Sequence, residues 1–292
     1  MLIEILCTGD EILTGKTVNT NYSHMARRFG EVGLTMHWST VVGDDRSCLA
    51  TAFQQASQRA DAVIVNGGLG PTVDDLSQEV AAEAAGVGLT LDENWLSRML
   101  DFYERRGRTM PPNNKKQAML PEGAEFIDNP IGTACGFAIN IGNARFFFTP
   151  GVPREMRKMI DEQVIPRLLK MSGLKVVNRL KRFHSFGIGE SRADQLLSGV
   201  ETLATDGSLK LGFQAHYPQL ETKLSAQAIT NNELDKKLAP AIEMIRKRLG
   251  TFIVAEDDQT LEQVVIDSLT SQNATLATAE MFTSGAIATR LN

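Results

Sequence analysis

The β-branched run Ala62-Val63-Ile64-Val65 leads straight into Asn66-Gly67-Gly68-Leu69-Gly70-Pro71-Thr72-Val73-Asp74-Asp75. Glycines let backbone N–H groups approach an anion closely, and a helix N-terminus at the same spot would add partial positive charge. The two carboxylates would hold a cation beside that anion. A phosphate with a divalent metal is the ligand this pattern suggests. Two further acidic pairs, Asp10-Glu11 and Asp44-Asp45, also follow runs that read as strands. If the three strands are parallel members of one open sheet, their carboxyl ends share an edge, where such sheets bind ligands. The hard turn Pro150-Gly151-Val152-Pro153 would fall there too. Hard cations prefer oxygen ligands, neutralise phosphoryl oxygens and lower the pKa of bound water. The chemistry expected of such a cleft is pyrophosphate hydrolysis.

Each motif also has an ordinary reading. Asp74 and Asp75 would sit in the first turn of a helix, where the dipole alone favours carboxylates. Asp10 and Asp44 would serve as turn residues. The glycine bend lacks the Lys-Ser/Thr of a Walker A loop and the third glycine of a dinucleotide fingerprint. Lys115 and Lys116 would contact phosphate from a loop or merely solvate a surface. Gly132-Thr133 would offer a backbone anion contact or form a plain turn. His24, His37, His184 and His216 show neither metal spacing nor a nucleophile–base pattern, and read as surface or packing residues.

The elements that must position these residues follow from periodicity. Strands are expected at 2–7, 35–42 and 62–65, and helices at 21–29, 47–59 and from Thr72 to residue 85, with Asp75 as capping-box partner and Gly86 as the stop. This alternation predicts a parallel sheet covered by helices, an α/β fold. A helix at 93–106, a loop at 107–114, and strands at 136–141 and 144–148 around a Gly142-Asn143 hairpin follow, with Phe146-Phe147-Phe148 as core. A helix at 154–171 carries Pro166 as a kink. Beyond Ser172-Gly173 the pattern is a strand from Val176 to residue 186, a helix at 190–197, strands at 209–215 and 221–228, and a helix at 233–249. That is a small α+β unit of about 80 residues. A helix at 261–270 and a short apolar strand at 275–279 follow.

Composition sets outer bounds. The 292 residues exceed what one domain usually needs, and 42% hydrophobic with 22% charged residues is ordinary for a soluble globular protein. A net charge of −5 and a pI near 5.5 argue against nucleic acid as a partner. Three scattered cysteines, without a CxxC pair, indicate neither a zinc knuckle nor a disulfide framework and fit a reducing cytoplasm. No run of about 18 apolar residues exists, so no membrane span is expected.

Taken together, Thr8-Gly9-Asp10-Glu11-Ile12-Leu13-x-Gly15, Asn19-Thr20-Asn21, Val42-Gly43-Asp44, the bend Gly67-Gly68-Leu69-Gly70-Pro71-Thr72-x-Asp74-Asp75, Asn114-x-Lys116-Gln117-Ala118, Gly132-Thr133-Ala134-x-Gly136-Phe137 and Pro150-Gly151-Val152-Pro153-x-Glu155 resemble the CinA, or competence/damage-inducible, family. Seven motifs in order cover residues 1 to about 256. The resemblance implies a three-layer molybdopterin-binding-like domain with a mostly parallel sheet at 1–171 and a small KH-like α+β domain at 172–256. It implies ADP-ribose pyrophosphatase activity, giving AMP and ribose 5-phosphate, that depends on a divalent metal (Co2+, Mg2+ or Mn2+) and on K+. It also implies a homodimer acting on a small nucleotide. Asp10, Asp44 and Asp75 would hold the metal and its water, and Lys116 would offset charge on the leaving phosphate. Gly67, Gly68, Gly70 and Thr72 would cradle a phosphate. Asn19 and Asn21 would bond the sugar or base, with Glu11, Asp74, Gly132, Thr133, Pro150 and Gly151 completing the substrate site. The alternative is a molybdopterin-like phosphate-binding protein without turnover.

The tail, 257–292, departs from the family. It looks like the truncated start of a nicotinamide-nucleotide amidohydrolase domain, which in the family opens with Ala-Glu-Ser-Cys-Thr-Gly-Gly and uses that serine as nucleophile. Here the stretch is Ala279-Glu280-Met281-Phe282-Thr283-Ser284-Gly285. A thioether has no proton to lose and cannot attack an amide carbonyl, so deamidation is not expected. Cys135 stands where many members have proline.

Overall fold

A computed structural model of the chain describes residues 1–174 and 177–291, apart from the side chain of His216. Val176, the expected first residue of a strand, and the His216 side chain lie outside the described residues. Two compact units emerge, Met1–Leu174 and Lys175–Asn292.

The first unit is built on a six-stranded sheet. Its strands are β1 (Ile3–Thr8), β2 (Met36–Val42), β3 (Ala62–Asn66), β6 (Glu125–Ile127), β7 (Gly136–Ile141) and β8 (Ala144–Thr149), in the order β2-β1-β3-β8-β7-β6. The first four in that order run parallel, with Thr8 opposite Val42, Cys7 opposite Asn66 and Asn66 opposite Thr149. Their carboxyl ends therefore align along one edge. β7 returns antiparallel from the two-residue Gly142-Asn143 turn, and β6 reverses again. A two-stranded sheet pairs β4 (Leu89–Leu91) with β5 (Met119–Pro121).

Helices cover both faces. Those of the first unit are α1 (Asp10–Leu13), α2 (Thr20–Glu31), α3 (Arg46–Arg59), α4 (Ser77–Ala85), α5 (Glu93–Glu104), α6 (Pro153–Met159) and α7 (Ile165–Ser172). On one face α3, α4 and α5 bury Leu49, Phe53, Val80 and Trp95 against Phe146 and Phe148. On the other, α2, α6 and α7 bury Met25, Phe29, Met156 and Leu168 against Ile5, Ile64 and Phe147. The Phe146-Phe147-Phe148 run thus alternates between the two cores, as a pleated strand must. Phe137 stacks on Phe148 with ring centroids 4.3 Å apart. The expected helix at 154–171 is broken into α6, a π-helical turn at Ile160–Val164, and α7. Pro166 has no N–H for the carbonyl four residues back, and the wide turn takes up the break.

The second unit has its own four-stranded antiparallel sheet. It comprises β9 (Val177–Phe186), β10 (Leu209–His216), β11 (Gln219–Ala228) and β12 (Ile253–Glu256), in the order β10-β11-β9-β12. α8 (Glu190–Leu197) and α9 (Asn231–Leu249) close its core around Phe183, Leu224, Leu234 and Ile245. α10 (Leu261–Ser271) and α11 (Ala286–Leu291) complete the chain. The strand expected at 275–279 does not form, and none of the described strands pairs with that segment. A short apolar run without a neighbouring ladder has no partner for its backbone polar groups. Among the described residues no helix is long and apolar enough to cross a membrane. The three cysteines are free thiols, Cys7 and Cys135 buried and Cys48 exposed.

Candidate functional site

Four loops meet at the aligned strand ends, and between them lies a cleft of about 540 Å³. The loop after β3 forms its floor. Gly67 and Gly68 have φ of 115° and 68°, a region side chains avoid. A Cβ on Gly67 would stand 2.9 Å from the Thr8 carbonyl oxygen, and one on Gly68 would overlap the Ser77 hydroxyl. Only glycine lets this bend press against β1 and α4. Gly67 donates its N–H to Thr149 O (3.0 Å). The N–H groups of Gly68, Leu69 and Gly70 donate to no other group among the described residues. Three successive unpaired amides on the floor of a cleft make an anion-binding nest.

Amide side chains, buried at Asn21, Asn66 and Gln117 and exposed at Asn113, hold the loops in place. Asn66, at the end of β3, donates to Pro150 O (2.7 Å) and Thr149 Oγ1 (3.2 Å). Asn21 donates to Asn66 Oδ1 (2.9 Å) and Gly151 O (2.7 Å). Gln117 reaches Leu69 O, and Asn113 reaches Pro71 O, both at 3.3 Å. Two buried oxygens on the cleft wall, Thr8 Oγ1 and Asn21 Oδ1, have no partner among the described residues. Burial of such groups is costly unless a ligand or water completes them.

Of the three acidic pairs, the cleft lining takes one residue each from the first two and both from the third. Glu11, Asp44, Asp74, Asp75 and Glu155 line the cleft, and among the described residues no Lys, Arg or His does. Asp10 lies outside the lining but is tied to Asp44 in both directions. The Asp10 N–H donates to Asp44 Oδ2 (3.1 Å), and the Asp44 N–H donates to Asp10 Oδ1 (3.2 Å). Burial pushes the Asp44 carboxyl above its ordinary range, and the charges of Asp10, Glu11 and Asp74 push the same way, against the Asp10 amide. Asp45 faces elsewhere. It caps α3 through the Cys48 N–H (2.9 Å), and with Ser47 this holds its carboxyl down at about 2. Among the described residues no three His, Cys, Asp or Glu side chains converge into a closed metal cage.

The remaining expected residues divide. Thr133, Pro150 and Gly151 line the cleft with Gly67, Gly68, Gly70 and Thr72. Thr72 does not start a helix: α4 begins at Ser77, after a turn in which Thr72 N–H (2.8 Å) and Thr72 Oγ1 (2.5 Å) both donate to Asp75 Oδ2. The carboxylate folds back on its own loop, so the helix starts five residues late and its Ser77 N–H is spent on Gly68 O (3.1 Å). Lys116 stands outside the cleft lining and braces the loop from behind, donating to Thr72 O (3.2 Å) and pairing with Glu79 (3.3 Å). Asn19 caps α2 through the Tyr22 N–H (2.9 Å). The Gly132 amide is taken by Asn129 Oδ1 (3.2 Å), and Gly132 borders a neighbouring cavity instead.

Asn129 and Glu155 were not assigned roles from the sequence. Asn129 is buried and donates to Ala134 O (2.7 Å) and Glu155 Oε2 (2.8 Å). Burial pushes the Glu155 carboxyl up, partly offset by that bond. Glu155 ends the Pro150-Gly151-Val152-Pro153-x-Glu155 motif, and the partner that fixes it lies 26 residues earlier, outside that motif.

Comparison with known proteins bears on both units. A family described as probable molybdopterin binding domain matches residues 4–170. One described as damage-inducible protein CinA KH domain matches 180–255. A CinA-like protein of Shewanella sp. (strain MR-4) is 39% identical over 291 residues, covering 100% of this chain and 67% of its own length. A Shewanella oneidensis protein named nicotinamide-nucleotide amidohydrolase PncC matches with the same identity and coverage. The crystal structure of the protein CinA, of unknown function, from Thermoplasma acidophilum superposes with a TM-score of 0.51 and 32% identity, over 59% of this chain and 98% of that one.

Proposed function

The chain belongs to the CinA family, and from that premise we propose that its α/β unit hydrolyses the diphosphate of ADP-ribose to AMP and ribose 5-phosphate. One observation carries this reading: the cleft joins three unpaired amides to five carboxylates with no basic side chain among them. The amides suit a phosphoryl oxygen. The carboxylates repel it unless a cation enters with it.

The donor set fits a divalent cation shared with substrate. Asp44 and Asp75 would hold it, with Asp10 positioning Asp44 through their paired bonds. A site without a protein cage suits a magnesium-like ion, which binds through one or two carboxylates and substrate phosphates. When bound, such an ion neutralises phosphoryl oxygens and acidifies water. The chain's own groups do the rest. Gly68, Leu69 and Gly70 orient one phosphoryl group. The unpartnered oxygens of Thr8 and Asn21 suit sugar hydroxyls. Burial raises the Glu155 carboxyl and so favours its protonated form, which suits it to hand a proton to the departing phosphate. Pterin-phosphate binding without turnover would use the same amides but leave the carboxylates without a purpose.

The amidohydrolase name belongs to a relative that extends beyond this chain's length. We do not assign that activity to these residues, because Met281 stands where the resemblance places a serine. The test is incubation of the purified chain with ADP-ribose, K+ and Co2+, Mg2+ or Mn2+ in turn, with AMP measured by chromatography. The expected result is metal-dependent AMP release abolished by EDTA. No AMP above the EDTA control with any metal overturns the reading.

A further inference from the structure

Beside the acidic cleft lies a second cavity of about 520 Å³ with the opposite character. Val152 and Glu155 line both, so the two hollows adjoin. One wall is α5 with Trp95, Arg98 and Phe102, continued by Arg105 and Arg106 in the turn that follows it, and Arg154 at the start of α6 also lines the cavity. Four guanidiniums thus border this cavity, against two carboxylates, Asp101 and Glu155.

The arginines are not equivalent. Arg98 is neutralised by Asp128 (2.6 Å) and lies over the Trp95 ring at 4.7 Å. Arg106 lies over the Phe102 ring at 3.5 Å and donates to Phe102 O (3.1 Å). These two form flat guanidinium-on-aromatic platforms of the kind that nucleic-acid bases stack upon. The exposed guanidinium groups of Arg105 and Arg154 make no hydrogen bond or ion pair among the described residues. A planar guanidinium with free donors matches a phosphate monoester in paired bonds, and two of them suit a dianion.

We propose that this cavity is a specificity subsite for the nucleoside half of the substrate, and that it selects a nucleoside bearing a phosphate monoester in addition to the diphosphate, as in 2′-phosphorylated ADP-ribose. The proposal rests on the reading that the acidic cleft holds the diphosphate. ADP-ribose itself has no charge beyond the diphosphate, so it leaves Arg105 and Arg154 without a counter-charge. A ligand spanning both hollows satisfies each with its own chemistry: cation-bridged diphosphate over the amides, base and monoester among the guanidiniums.

The test compares kcat/KM for ADP-ribose and its 2′-phosphate in the native chain and in an Arg105→Ala/Arg154→Ala chain. The expected preference for the phosphorylated substrate is at least about tenfold, the size of a charge-assisted hydrogen bond, and it collapses toward unity in the double variant. A native ratio near one, or a ratio the variant does not change, overturns the proposal while leaving the diphosphatase reading intact. If neither substrate is cleaved, that reading fails and binding decides the subsite separately. The chain has two tryptophans, so Trp38→Phe leaves Trp95 as sole reporter inside the cavity. Adenosine 2′-monophosphate should then perturb Trp95 emission at concentrations at least about tenfold below those needed for adenosine. Equal concentrations for the two overturn the proposal.

Discussion

The cleft of the α/β unit and the loop at 279–285 both carry family-like motifs, and they differ in what stands behind them. In the cleft, each turn leans on a buried polar side chain: Asn66 is 2% exposed, Asn129 1% and Gln117 3%. In the tail loop, Met281 is 96% exposed and Phe282 fully so. Glu280 spends its carboxylate on the N–H groups of Ile287 and Ala288, both 2.8 Å away. One region fixes its backbone and leaves three amides unpaired beside five carboxylates; the other satisfies its polar groups locally and fixes little. A reactive constellation needs the first condition, because positioning within a fraction of an ångström comes from the supporting residues.

The contrast is most sharply broken at the carboxylates. Asp75→Asn or Asp44→Asn should lower ADP-ribose turnover by at least about 100-fold, the scale of losing one positioned electrostatic group, measured as AMP release with saturating metal. Loss of less than threefold in both would place the chemistry elsewhere. Next in size is the scaffold. Asn66→Ala strands the Pro150 carbonyl and an Asn21 donor, at a cost of about 1–3 kcal/mol. A melting temperature several degrees lower, read by calorimetry, is expected, with turnover reduced as well.

A subtler effect concerns pH. The Asp44 carboxyl holds its proton more tightly in the fold than in the unfolded chain. Between the two pKa values the folded form binds more protons, so stability falls as pH rises through that window and stays reduced above it. Asp44→Asn removes this penalty. The variant should therefore melt higher than the native chain at pH 7 even as it loses activity, and the gap should shrink as the pH drops below the ordinary carboxylate range. Glu155→Gln should behave the same way, since burial raises that carboxyl too. An unchanged melting temperature in both variants at pH 7 would contradict the burial of charge described here. The smallest effect is expected in the tail. Met281→Ser should produce no nicotinamide mononucleotide deamidation and no measurable stability change, because an exposed serine without a braced base is only a surface hydroxyl. Ammonia release above background would show that the loop is more organised than its exposure indicates.

The fold was legible where the chain writes long, unambiguous patterns. The runs forming β1, β3 and β8 are mostly apolar, broken only by Glu4 and Arg145 before their terminal polar residues, and the alternation of strands with amphipathic helices predicts the parallel sheet. β4, β5 and β6 have three residues each, too few to establish a period. The late start of α4 was hidden because a carboxylate three residues after a threonine reads as a capping box whether or not a helix follows. The 275–279 run misled for the opposite reason: it reads as a short apolar strand, but strand formation needs a neighbour that sequence does not display. At the site, the glycines and carboxylates announced themselves by type and spacing. The braces did not. Asn66 finds its acceptor 84 residues away, and no local pattern distinguishes a buried asparagine with such a target from a turn residue.

The crossed bonds between the loops after β1 and β2 have one more consequence. Any ligand that draws the Asp44 carboxylate toward itself withdraws the acceptor from the Asp10 backbone N–H, in a loop 34 residues distant in sequence. Solvent deuterium would then enter that amide faster. The pair is thus a built-in occupancy gauge, readable by isotope exchange without label, dye or turnover.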